Sequence, residues 1–188
     1  MSDLPSTLSA GGVVLTRVDP VQVEAILEAV QASIVDLHRW QPWAHMAYDR
    51  TDAMWWASKA WLGWQDGTQY TFVVQREGDP RMLGTVGVNM IRDGQANLGY
   101  WTRSDAVGQG LATTAAQLCA RFAFEHAGLR RLHLHHHVDN HGSRRVAEKT
   151  GFVREGTHRE VAMLHGEPID AVFYSLIGPD EVVAPVTD

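Results

Sequence analysis

The stretch from Leu98 to Thr113, LGYWTRSDAVGQGLAT, constrains the fold more than any other part of the chain. Leu98 to Arg103 has the aromatic and β-branched content of a strand. Ser104 and Asp105 are turn formers, and Gly108 and Gly110 let the backbone pass close to a ligand because neither carries a Cβ. Leu111, Ala115, Leu118, Cys119 and Phe122 then recur at helical spacing on one face. The first amides of such a helix have no partner within it, and with the helix dipole they form an anion site suited to a pyrophosphate. Read locally, the same stretch is equally an ordinary strand-to-helix turn.

A second segment, Asn140 to Phe152 (NHGSRRVAEKTGF), follows about thirty residues later. Together the two segments resemble the GNAT acetyltransferase superfamily, and within it the branch that acetylates the N-termini of ribosomal proteins. The resemblance extends from about Gly12 to Leu176. It implies a GNAT-like acyl-CoA N-acyltransferase fold: three-layer α/β, with a mixed, mostly antiparallel sheet and helices on both faces. It implies acetyl-CoA as acyl-donor substrate, held by Tyr100, Trp101, Thr102, Val107, Gly108, Gln109, Gly110, Leu111 and Ala112. Asn140 would bond the pantetheine arm, and Arg145 would reach the CoA phosphate. Val107 departs from the pattern, since the superfamily commonly has Arg or Gln there.

The catalytic assignments come from the same resemblance. Ser143 matches a proposed general acid for the departing thiolate. Read locally, Asn140 is an N-cap and Ser143 an ordinary first-turn residue. The branch often carries a Glu two residues before its Gly-Tyr-Trp, where this chain has Asn97, which cannot take a proton. Glu160 stands two residues from a second carboxylate position, occupied here by Ala162. One strand period would leave it on the same face. His158 lies a further period back; both also read as exposed strand residues. Trp40, Pro42 and Trp43 match a Trp-x-Pro-Trp feature that walls the acceptor pocket in this branch.

Local signals give the order of elements. Val13 to Val18 reads as an edge strand after a frayed start from Met1 to Ala10. Asp19-Pro20 opens a helix bearing Val23, Ile26, Leu27 and Val30. A short helix covers about Ala32 to Arg39, and Thr51 caps a third that carries Trp55, Trp56, Ala60 and Trp64. Strands follow at Tyr70 to Arg76 and Met82 to Ile91, separated by a Gly78-Asp79-Pro80 turn. Arg92-Asp93-Gly94 turns into the strand before the glycine loop. Leu129 to Val138 is a strand, Asn140 to Thr150 a helix stopped by Gly151. Phe152 to Met163 and Ile169 to Ile177 form a closing hairpin, with a loose tail from Pro179. Periodicity alone therefore gives a mixed sheet with helices on both faces.

Composition narrows the function. A chain of 188 residues is expected to form a single domain over 1–188, with its core at about 12–177. The net charge of −6 argues against nucleic acid as partner. No apolar run is long enough for a membrane span and no secretory signal is visible, so a cytoplasmic location is expected. Cys119, the one cysteine, fits a reducing compartment and a buried structural role. His133, His135 and His137 share one strand face, which is poor geometry for tetrahedral zinc, so no metal is expected. The reading is an N-acetyltransferase acting on a primary amine, a ribosomal-protein N-terminus among the acceptors. A small amine, an amino-acid conjugate or an antibiotic is the alternative acceptor. The rival from another class is a non-catalytic acyl-CoA-binding protein of the same fold. A homodimer is compatible with any of these.

Overall fold

Two hydrophobic faces of one sheet account for the architecture. In the computed structural model, which describes residues 4–179, alternate side chains of the central strands enter two separate cores. The strands are β1 (Thr7–Ala10), β2 (Val13–Arg17), β3 (Tyr70–Arg76), β4 (Asp79–Arg92), β5 (Gln95–Thr102), β6 (Arg131–His137), β7 (Val153–Leu164) and β8 (Glu167–Ile177). They form an eight-stranded sheet in the order β1-β2-β3-β4-β5-β6-β8-β7. Every neighbouring pair is antiparallel except β5 and β6.

The helices are α1 (Val23–Gln31), α2 (Ile34–His38), α3 (Arg50–Asp66), α4 (Leu111–Glu125) and α5 (His141–Thr150). Phe72, Leu83, Val86, Leu98 and Leu132 point to the α4 face, where Ala115, Leu118, Cys119 and Phe122 meet them. Phe122 meets Phe72 edge-on at a centroid distance of 5.1 Å. Val73, Met82 and Trp101 point the other way and pack with Ile26 and Val30 of α1 and Ala57 of α3. Each large side chain buried in this way contributes about 1.5–3 kcal/mol. Period-2 alternation in the strands and period-3.6 spacing in the helices are thus satisfied together.

Polar signals fix the boundaries. Asp19 caps the turn that opens α1, with Gln22 returning a bond to its backbone. Gly67 and Gly151, both left-handed, end α3 and α5. Asp93-Gly94 and His165-Gly166 have positive φ at both turn residues, the geometry of a two-residue hairpin.

Three local expectations are corrected. Residues from Thr7 to Ala10 are not frayed: they form β1 against β2, so β2 is not at the edge. Their polar, small composition hides a strand whose stability comes from pairing. Helix α3 is capped by Asp49 rather than Thr51: the Asp49 carboxylate accepts from the amides of Thr51 and Asp52, and Asp52 returns the bond. The turn before β4 is Glu77-Gly78, and Asp79 and Pro80 already belong to the strand. Met1 to Asp3, and the expected tail beyond Pro179, lie outside the described residues.

Candidate active site

Strands β5 and β6 pair over only three residue pairs, Gln95 with Arg131, Ala96 with Leu132 and Asn97 with His133. Beyond that point β5 stays beside β4 as far as Thr102, while β6 stays beside β8 as far as His137. The two strands therefore part, and a cavity of about 320 Å³ opens between them.

The glycine loop follows β5 directly and leads into α4. Gly108 and Gly110 have φ values of +76° and +81°, and nothing lies within 4 Å of where a Cβ would stand on either. Gly110 is the N-cap of α4 and offers no side-chain cap, so the first amides of that helix are left for a ligand. Leu111 is buried in the core and anchors the first turn, while Ala112 is half-buried and Val107 exposed. Arg76 donates to the Gln109 side chain, and the Gln109 amide donates to the Asp105 carbonyl at 3.3 Å.

Helix α5 brings Asn140 and Ser143 to the same opening. Asn140 is the N-cap: its Oδ1 accepts from the Ser143 amide at 2.9 Å, as its local sequence predicts. The Ser143 hydroxyl lies 2.8 Å from the Tyr100 hydroxyl of β5. Burial pushes the Tyr100 phenol up to about 12. Either hydroxyl of this pair can donate to the other. Arg145 is exposed, whereas Arg144 is tied to Glu148 at 2.8 Å along the helix.

One end of the opening is made of side chains. Trp40, Pro42 and Trp43, in the segment between α2 and α3, line the cavity together with Trp56 of α3. The Trp43 ring packs against Trp101 at 6.4 Å and Tyr48 at 6.0 Å; Trp40 faces His137 at 5.7 Å. The Trp101 side chain thus belongs to this wall, and Thr102 closes β5 opposite Gly84. Met163 and Leu164 of β7 form the far side. Their hairpin tip is tied across the opening: the His165 ring stacks on His38 at 3.8 Å and donates to the His38 carbonyl at 2.7 Å.

Among the described residues, none that lines the cavity is a carboxylate, a lysine or an arginine. Its floor is neutral and polar, with Thr71, Thr85, Asn89 and Asn97, the last donating to Asn89 at 3.3 Å. Glu160 is not brought there. Between His158 and Ala162 the register of β7 against β8 shifts, and Glu160 sits in the bulge with φ +48°. Its amide donates to Asp170 at 2.9 Å and the residue is exposed. The one-period argument for its orientation fails because the bulge breaks the alternation.

The histidines of β6 disperse. His133 bonds Gln95 at 2.9 Å, His135 stacks on Phe173 at 5.2 Å, and His137 accepts from the Asp139 amide at 3.1 Å. Burial holds His133, His135 and His136 below the ordinary imidazole range. Among the described residues no group of three or more His, Cys, Asp or Glu is placed to hold a metal ion. Cys119 is fully buried, and burial pushes its thiol up to about 12. Sequence reasoning missed Met163, Leu164 and the Thr85-Gly87-Asn89 row. The row is visible as polar and small residues alternating with Val86 and Val88; the others depend on how the closing hairpin folds over.

A sheet parted between two parallel strands, with a glycine-led helix following the first of them and an aromatic wall on the gap, is the arrangement of acyl-CoA-type transferase folds. The domain description Acetyltransferase (GNAT) matches residues 13–153, and the chain belongs to that family. YdaF of Bacillus subtilis (strain 168), a provisionally assigned ribosomal N-acetyltransferase, is 36% identical over 83 residues, 44% of this chain and 45% of YdaF. The ribosomal-protein-serine acetyltransferase of Escherichia coli (strain K12) is 29% identical over 115 residues, 60% of this chain and 63% of that protein. The chain therefore spans less than two thirds of the length of these relatives. The solved structure of RimL, a ribosomal L7/L12 α-N-protein acetyltransferase in complex with CoA, superposes with a TM-score of 0.84 at 22% identity. That match covers 93% of this chain and 97% of the other.

Proposed function

We propose that this protein transfers the acetyl group of acetyl-CoA to the α-amine of a peptide or protein N-terminus, by direct attack within a ternary complex. The observation that carries the reading is the parted sheet, with a glycine-led helix start following β5 and a neutral, tryptophan-walled cavity in the gap. The relatives' names, which include a protein serine and ribosomal proteins as what they modify, support an N-terminal acceptor. The CoA bound to RimL supports the donor. The single buried cysteine fits a reducing, cytoplasmic setting.

The chemistry follows from the groups present. The amide nitrogen of the product forms its bond to the acetyl carbon as the carbon–sulfur bond breaks, and a proton leaves nitrogen and ends on sulfur. Backbone of β5 beyond Asn97, unpaired on its β6 side, supplies amides to polarise the thioester carbonyl. Ser143, its hydroxyl hydrogen-bonded to that of Tyr100, delivers the proton to the departing thiolate. No lining carboxylate removes the amine's first proton. The site therefore selects amines that are already partly neutral: about pKa 8 for an α-amine, against above 10 for a lysine-type amine. Proximity within the cavity does most of the remaining work.

The test is thiol release from acetyl-CoA against a panel: peptides beginning with Ser or Ala, an Nα-blocked lysine peptide, and small polyamines. Turnover is expected on the free N-termini and little on the lysine side chain. Acetyl-CoA binding with no turnover on any member would support the non-catalytic binder instead.

A further inference from the structure

One connected set of side chains runs from the glycine loop to the aromatic wall. Its centre is Arg103, the first residue after β5, only 8% exposed. The Arg103 guanidinium donates to both carboxylate oxygens of Glu28 on α1, at 2.5 and 2.7 Å, and to Asp105 at 3.0 Å. Asp105 in turn takes a bond from Arg81 at 3.3 Å, and its carbonyl holds Gln109 of the glycine loop. The neighbouring Ser104 donates its amide to the buried Ser33 hydroxyl at 3.1 Å, and its own hydroxyl to Asp36 of α2 at 2.5 Å. Helix α2 ends at His38 and leads directly into Trp40 and Trp43.

An ion pair with one exposed partner stabilises little, because water screens it and two side chains lose freedom to form it. What it supplies is geometry: a guanidinium bonded to both oxygens of one carboxylate has one orientation. Here that geometry fixes the segment on which the glycine loop hangs against α1 and α2, and α2 leads into Trp40 and Trp43.

We propose that Arg103 is a positioning residue that couples the two ends of the cleft, so that CoA in the glycine loop orders the segment from Trp40 to Tyr48. The inference rests on the reading above that the loop takes CoA. Thermodynamic reciprocity then requires that an acceptor bound at the wall tightens CoA by the same factor, typically about fivefold or more.

The test uses the full chain with CoA alone as probe. In the wild type, saturating CoA should slow hydrogen exchange in residues 34–48 by about fivefold or more. Glu28→Gln, at an exposed carboxylate, should still bind CoA with little change but lose most of that slowing. Arg103→Lys, which keeps the charge and not the double bond, should retain part of it. In turnover assays Glu28→Gln should raise KM for the acceptor peptide and leave kcat almost unchanged, a split that simple misfolding does not give. CoA binding without slowed exchange at 34–48, or full slowing in Glu28→Gln, overturns the coupling. Absence of CoA binding to the wild type by calorimetry overturns the functional reading itself, and the coupling with it.

Discussion

The two ends of the cleft are built from different materials. The end proposed above for the donor is backbone: two left-handed glycines, the amides of α4 and the capped start of α5. The end proposed for the acceptor is side chain: Trp40, Trp43 and Trp56 on helices and their connection, Met163 and Leu164 on a hairpin, joined through His38 and His165. Backbone geometry answers to a few residue types at fixed positions. Side-chain walls answer to volume and can be rebuilt from many residues. On the proposed reading, the first kind of end holds a ligand of fixed shape and the second an acceptor that substitutions can change.

Removing the hydroxyl where the two ends meet should have the largest effect. Ser143→Ala should lower kcat by about 10- to 1000-fold, the usual range for a proton-transfer group, and leave acetyl-CoA affinity nearly unchanged. Steady-state turnover together with calorimetry checks this; a wild-type rate would remove Ser143 from the chemistry. Gly110→Asp should come next. It forces a side chain into a left-handed position and sets a negative charge at the helix start, and about 10- to 100-fold weaker acetyl-CoA binding is expected. Unchanged affinity in a folded variant would show that the donor end lies elsewhere.

Trp43→Ala attacks the other material. It should raise KM for a peptide acceptor by about 10-fold, through the loss of a partly exposed aromatic contact, without altering acetyl-CoA binding. Equal damage to both affinities would dissolve the distinction between the ends. Glu160→Gln should change kcat by less than about threefold, because an exposed bulge residue outside the cavity has no proton to move. A large drop with loss of an ionisation in the pH–rate profile would return the base to Glu160.

The smallest effect concerns pH. Burial lowers the folded-state proton affinity of His133, His135 and His136 on β6, so the unfolded chain binds more protons once pH falls below about 6.5. The sign is therefore a loss of stability on acidification, beginning near pH 6.5 and ending where the folded histidines themselves protonate. The melting temperature should fall between pH 7.5 and 5.5, and His135→Phe, which keeps a ring on Phe173, should flatten that fall. A melting temperature independent of pH over that range would contradict the burial effect.

The same contrast explains how much of the molecule is legible in the amino-acid sequence. Gly108, Gly110, Asn140 and Gly151 each announce a backbone conformation through residue type alone, and each stands where the sequence puts it. Element order is legible for the same reason: turns such as Asp93-Gly94 and caps such as Asp19 are local. What escapes depends on contacts distant in sequence. β1 is a strand only because β2 is beside it. Glu160 leaves the expected face because β7 takes up extra residues against β8, and a bulge has no sequence mark when it lacks a glycine. The hydroxyl pair of Tyr100 and Ser143 joins residues 43 positions apart, and nothing in either segment points to the other.

The three-pair seam between β5 and β6 has a consequence for how the chain assembles. From β3 to β5 every neighbour in the sheet is also the next strand in sequence across a short turn, and the same holds for β7 and β8, so these two units form through short-range pairing, whereas β2 reaches β3 only across three helices. Joining the halves closes a longer loop through the helical crossover α4, a slower kind of step than closing a hairpin. The seam has the shortest ladder among the described strands, and its amides should exchange first. A ligand seated in that opening touches both halves at once. Its binding energy would be added to the junction the strands themselves leave weakest, and such a ligand would act as a removable rivet in the sheet.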